Sequence, residues 1–161
     1  QLHEIPIDIF KKVLTVNVAG AFLVSQVFGE AMARSGEGSI INIGSLYAKV
    51  SPDARLYDHI DVDPPFLKPP AYGASKAGLV NLTKYLATHW GPHGVRVNVL
   101  SPGGVLGDQD ERFKGKFVAR VPLGRMAEEH DLIGPLLFLA SDASSYVTGT
   151  ELIIDGGFTA W

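Results

Sequence analysis

The sequence contains no cysteine. That removes disulfides, thiolate zinc sites and cysteine nucleophiles, and it fits a reducing, cytoplasmic compartment. No apolar run reaches the length of a membrane span, and no signal-peptide pattern is present, so no membrane partner is expected. Blocks of Lys and Arg are missing too. With 14 basic and 17 acidic residues the formal charge is −3, which argues against nucleic acid as a partner. A metal site also lacks its pattern. His89 and His93 stand four apart, but Gly91 and Pro92 between them break the helical face that a zinc-binding pair needs. His59 with Asp58, Asp61 and Asp63 reads as a solvated acidic loop.

What is present is a chain of 161 residues, 46% of them apolar, enough for one domain with a real core. A first helix is expected over 7–34. Pro6 suits its first turn, and Gly36 and Gly38 follow its end. No charge falls between Lys12 and Glu30. A helix apolar nearly all round is buried on more than one face, here against a sheet and against a second subunit. Ser39–Ile43 reads as a buried strand. A loop follows over 51–70, a lid candidate with five prolines and four aspartates. A second helix is expected over 72–90, with only Lys76 and Lys84 charged. Residues 94–100 alternate as a second strand, ended by Ser101-Pro102-Gly103-Gly104. A short helix falls within 108–120 and a third long helix over 128–141. In the latter Pro135 predicts a kink or a later start. Glu151–Ile154 is the last strand. Strands alternating with helices predict βαβ units in a parallel sheet, an α/β fold of three layers.

The centre of the chain is Ala71-Tyr72-Gly73-Ala74-Ser75-Lys76-Ala77-Gly78. On a helix, Tyr72 and Lys76 leave one face a turn apart. An ammonium beside a phenol favours the phenolate, so such a tyrosine can exchange a proton near neutral pH. Of the five tyrosines, only Tyr72 has a Lys or Arg four residues later. The small residues after the pair let the helix pack closely on a neighbour.

These pieces, in order, resemble the classical short-chain dehydrogenases/reductases. Asn17-Val18-Ala19-Gly20 is similar to that family's Asn-x-x-Gly segment, and Ile41-Asn42-Ile43-Gly44-Ser45 to its strand ending in a catalytic serine. Tyr72-x-x-x-Lys76 matches its signature helix, and Arg96-Val97-Asn98 with Ser101-Pro102-Gly103 its next strand and nicotinamide loop. Leu123-Gly124-Arg125, Phe138-Leu139-Ala140-Ser141 and Val147-Thr148-Gly149 resemble its C-terminal third. The resemblance implies a Rossmann-like doubly wound sheet and an NAD- or NADP-dependent oxidoreductase acting on a small carbonyl or secondary alcohol. It implies Asn17, Ser45, Tyr72 and Lys76 as catalytic residues. It also implies that Tyr72, Lys76, Pro102, Gly103 and Val105 bind cofactor. A homodimer or homotetramer through the first two long helices is expected.

Two departures accompany the resemblance. The glycine-rich pyrophosphate turn that follows the family's first strand has no counterpart, so residues 1–161 are similar to only the C-terminal portion of a member's single domain. The expectation is therefore a chain that does not catalyse by itself, with Ser39–Ile43 as an uncovered sheet edge. The other reading is a non-catalytic truncated member serving as an oligomerising piece. Secondly, Gly107 stands where many members carry a threonine used on the cofactor.

Overall fold

The computed structural model describes residues 2–63 and 65–161; Gln1 and Pro64, at the start of the chain and inside the expected loop, lie outside the described residues. The elements are α1 (Ile7–Leu14), a π-helical turn (Thr15–Gly20), α2 (Ala21–Ser35), β1 (Gly38–Ile43), α3 (Pro70–Trp90), β2 (Val95–Pro102), α4 (Glu111–Val118), α5 (Glu129–Ala140) and β3 (Glu151–Ile154). The three strands form one parallel sheet in the order β1-β2-β3. In register, Ile40 faces Val97 and Ile43 faces Leu100.

Local chemistry sets the boundaries. Gly36, at φ 81°, ends α2 in the left-handed region, its N–H bonded to Met32 O at 3.0 Å. Pro70 opens α3, where a missing N–H costs nothing. The Asp110 carboxylate caps α4 by accepting the Arg112 and Phe113 N–H groups at 2.8 and 3.2 Å.

Side-chain alternation along β1 assigns the layers. Ile40 packs with Trp90, Leu86 and Val97 and with Met32 and Ala33, so α2 and α3 cover that face. Its neighbour Ser39 donates from Oγ to Leu139 O of α5 at 2.8 Å, on the opposite face. The three-layer arrangement expected from the sequence is therefore the one found. Buried polar groups pin the far end. Asn98, fully buried, donates to Val147 O and accepts from Thr150 N, and Arg96 reaches Ser144 Oγ and Ser141 O.

Three expectations need correction. The single first helix is interrupted by the π turn. Its apolar side chains are also not buried within the chain, since Val16, Leu23, Val24, Val27 and Phe28 are exposed and only Ser25 and Gly29 of α2 are buried. Pro135 does not delay α5. The Glu128 N–H bonded to Asp131 Oδ2 at 2.7 Å fixes the start ahead of it, and the helix runs through to Ala140. β2 also continues past Leu100 to Pro102, because β3 pairs with its last four residues.

Candidate active site

The site is built where β1 and β2 end and α3 begins. This is the C-terminal edge of a parallel sheet, the usual ligand side of open α/β folds. A cleft of about 410 Å³ lies there. Ser45, Tyr72, Gly103 and Val105 all line it.

Tyr72 sits in the first turn of α3. Its hydroxyl has no hydrogen-bond partner among the described residues. The Lys76 ammonium lies 5.7 Å from the Tyr72 ring centroid and donates one bond to Ile43 O, the last carbonyl of β1, at 2.8 Å. An ammonium has three donors, so two remain. Ser45, 7% exposed, accepts the Tyr47 N–H at 3.2 Å. Its own O–H has no acceptor among the described residues and is free to donate into the cleft.

Asn17 is held behind this group. It lies in the π-helical turn, a form found mostly as single turns at functional sites. Its Nδ2 donates to Ser75 Oγ at 2.9 Å, and Ser75 Oγ donates to Tyr72 O at 2.7 Å. A backbone partner is thus not what satisfies this asparagine. The chain Asn17–Ser75–Tyr72 ties the π turn to the first turn of α3. Beneath it, Gly78 passes Val18, where an added Cβ would be 3.6 Å from Cγ2.

The loop after β2 is committed in several places. The Gly103 N–H donates to Ile154 O at 2.7 Å, and a Cβ at Gly103 would stand 2.7 Å from Asp155 Cα. This glycine is required by the crossing C-terminal segment. Leu106 N–H and Gly104 O pair with the backbone of Ala127. Pro102 ends β2 and is not part of the cleft wall. Gln109 bridges the loop. Its Oε1 accepts Gly107 N–H at 2.8 Å and its Nε2 donates to Val105 O at 2.9 Å. The loop that lacks a hydroxyl at Gly107 is thus held by an amide two residues on.

Sequence reasoning missed the opposite wall. Tyr47 meets Tyr72 edge-on, ring centroids 6.3 Å apart, and its hydroxyl lies 3.5 Å from that of Tyr57. Burial, reinforced by the Tyr57 hydrogen bond, pushes the Tyr47 phenol above its ordinary range. Lys68 donates to Tyr57 OH at 3.2 Å. His59 Nε2 lies 3.0 Å from the capping carboxylate Asp110, and Lys116 pairs with Asp58. These contacts bring Tyr57, His59, Ile60 and Lys68 to the cleft wall. A run of prolines and aspartates without a period carries no sign of which side chains turn inward. Among the described residues no helix is long and apolar enough to cross a membrane, and no cluster of His, Asp or Glu could hold a metal ion.

A family model described as short chain dehydrogenase matches residues 1–57, and one described as Enoyl-(Acyl carrier protein) reductase matches residues 65–159. The chain is 37% identical to the galactitol 2-dehydrogenase (L-tagatose-forming) of Cereibacter sphaeroides, over 94% of this chain and 58% of that protein. Among solved structures, a short chain dehydrogenase from Leptospira borgpetersenii with bound NAD+ superposes with a TM-score of 0.88 at 40% identity, covering 98% of this chain and 59% of that one. A gluconate 5-dehydrogenase from Burkholderia cenocepacia in complex with NADP and tartrate gives 0.86 at 30%, covering 99% and 60%. The chain thus spans somewhat under two thirds of the length of the relatives it matches. The matches run from one end of the chain to the other and carry the same strand–helix order, so the chain belongs to the classical short-chain dehydrogenase/reductase family.

Proposed function

We propose that the protein carrying this chain is an NAD(P)-dependent oxidoreductase that interconverts a secondary alcohol and a carbonyl compound. The observation that carries this reading is the unbonded Tyr72 hydroxyl, in a cleft it shares with the free Ser45 O–H, while the Lys76 ammonium lies 5.7 Å from its ring centroid. Tyr72 takes the proton of the substrate hydroxyl in oxidation and returns a proton to the carbonyl oxygen in reduction. Ser45 donates to the same oxygen as negative charge develops there.

When bound, a nicotinamide dinucleotide supplies the centre that accepts or gives the hydride. The open side of the cleft fits that group. Lys76 keeps two donors for ribose hydroxyls, and the backbone of Pro102, Gly103 and Val105 lies at the adjacent strand end. With its N–H taken by Ile154 O, Gly103 offers only its carbonyl. Asn17 is a positioning residue, holding the first turn of α3 through Ser75. The relatives named above are called dehydrogenases of galactitol and gluconate, which supports a small polyhydroxylated substrate. Two copies pair through the exposed apolar face of α2 and the surface of α3 around Tyr85.

The test is Tyr72→Phe in the intact protein. Turnover falls by at least about a hundredfold, while NADH or NADPH binding by fluorescence titration is retained, because only the proton-transfer group is removed. Near wild-type turnover would refute the assignment. A wild-type protein that turns over no alcohol or carbonyl with either cofactor would instead support a non-catalytic, oligomerising role.

A further inference from the structure

Lys68 has a setting that the chemistry at Tyr72 does not explain. Its ammonium stands 5.0 Å from the Tyr47 ring centroid, 5.6 Å from Tyr57 and 5.8 Å from Tyr72, in the wall of the cleft. Its one hydrogen bond goes to a neutral hydroxyl, Tyr57 OH, so two donors remain. It has no carboxylate partner among the described residues. Among the described residues the only carboxylate on the cleft wall, Asp110, accepts the first N–H groups of α4 and lies 3.0 Å from His59 Nε2. No counter-charge comes from Tyr47 either, since burial keeps that phenol protonated. A half-buried cation held among rings, with donors free and no anion beside it, is placed to take an anion that a ligand brings. The positive end of α3, which starts at Pro70, adds to the same field.

We propose that Lys68 anchors a carboxylate of the substrate, and that the substrate is a hydroxy acid or its keto acid rather than a neutral polyol. The inference rests on the oxidoreductase reading above only for which carbon reacts: the carbinol carbon faces Tyr72 and the carboxylate, a short chain away, meets Lys68. Lys68 is then the residue that separates sugar acids from alditols in this cleft.

The test uses D-gluconate and D-glucitol, the same carbon chain with and without the carboxylate, on the intact protein loaded with each cofactor. Binding is followed by calorimetry and turnover by NAD(P)H absorbance. Wild type is expected to favour gluconate by about 10- to 100-fold, the worth of a charge-assisted contact. Lys68→Met is expected to abolish that preference, through Kd and KM more than kcat, with a larger loss for gluconate than for glucitol. Lys68→Arg is expected to keep it, which shows that the fold tolerates change there. Equal binding of both ligands by wild type, no binding of either, or an equal loss for both in Lys68→Met would overturn the proposal. Gluconate preference in binding without turnover of either compound would uphold Lys68 and sink the oxidoreductase reading. Turnover of glucitol with no preference for gluconate would do the reverse.

Discussion

Tyr72 keeps its hydroxyl free because its neighbours are bonded elsewhere. Ser75 turns to the Tyr72 carbonyl, Lys76 to Ile43 O and Lys68 to Tyr57. The pair Tyr72 and Lys76 was legible in the sequence because one helical turn joins them, and Ser45 because it closes a segment, two residues past the end of β1, that resembles the family's. Lys68, Tyr57 and Gln109 were not, since only tertiary folding brings them to the cleft. Asp53 holds that folding in place. It accepts from Arg55 Nε and Nη2 at 3.0 and 2.7 Å, and Arg120, just beyond α4, pairs with it as well. The Arg55 contacts and the bond from the Arg55 N–H hold its carboxyl well below the ordinary range. A depressed folded-state pKa means stability that is full above the unfolded value of about 3.9 and is lost as pH falls below it. Asp53→Asn should therefore lower Tm at pH 7 but flatten its fall between about pH 4 and pH 2, as read by thermal melts across pH. A fall as steep as that of wild type would mean that other carboxylates dominate.

At the scale of elements, α2 lies close on α3 because of glycine and small side chains. An added Cβ at Gly29 would stand 2.3 Å from the nearest atom of the Trp90 ring, which is 4% exposed and fixed against Leu86 and Val97. Overpacking of that kind costs about 1–3 kcal/mol. Gly29→Ala should lower stability by this amount in a denaturant titration, and the double variant with Trp90→Phe should recover part of it. A neutral Gly29→Ala would show that the two helices can separate at no cost. Strand positions were readable to within a residue or two, because β-branched runs between glycines have few alternatives. The π turn was not. Val13, Asn17, Ala21, Ser25, Gly29 and Ala33 form the inward row, each four residues from the last and all partly or fully buried. On a regular α-helix such a row drifts about 40° per step, and against an apolar background it leaves no visible period.

For the whole molecule, the inward row carries mainly small side chains, and the bulk sits outside. Val24, Val27 and Phe28 on α2 and Tyr85 on α3 are each more than half exposed (59%, 67%, 59% and 66%). Exposed apolar surface of this kind marks an interaction site, and the occupant proposed above is a second copy of the chain. Sedimentation of the intact protein at micromolar concentration should give a dimer or tetramer, and Val27→Asp with Phe28→Asp should dissociate it. A wild-type monomer would rule this assembly out. Across the π turn a residue shares its bearing with one about eight positions on rather than seven. Val13 before the turn and Ala21 after it therefore both face inward. The slip that brings Asn17 to Ser75 thus lets one long rod keep the same side toward α3, and it leaves Val24, Val27 and Phe28 outward.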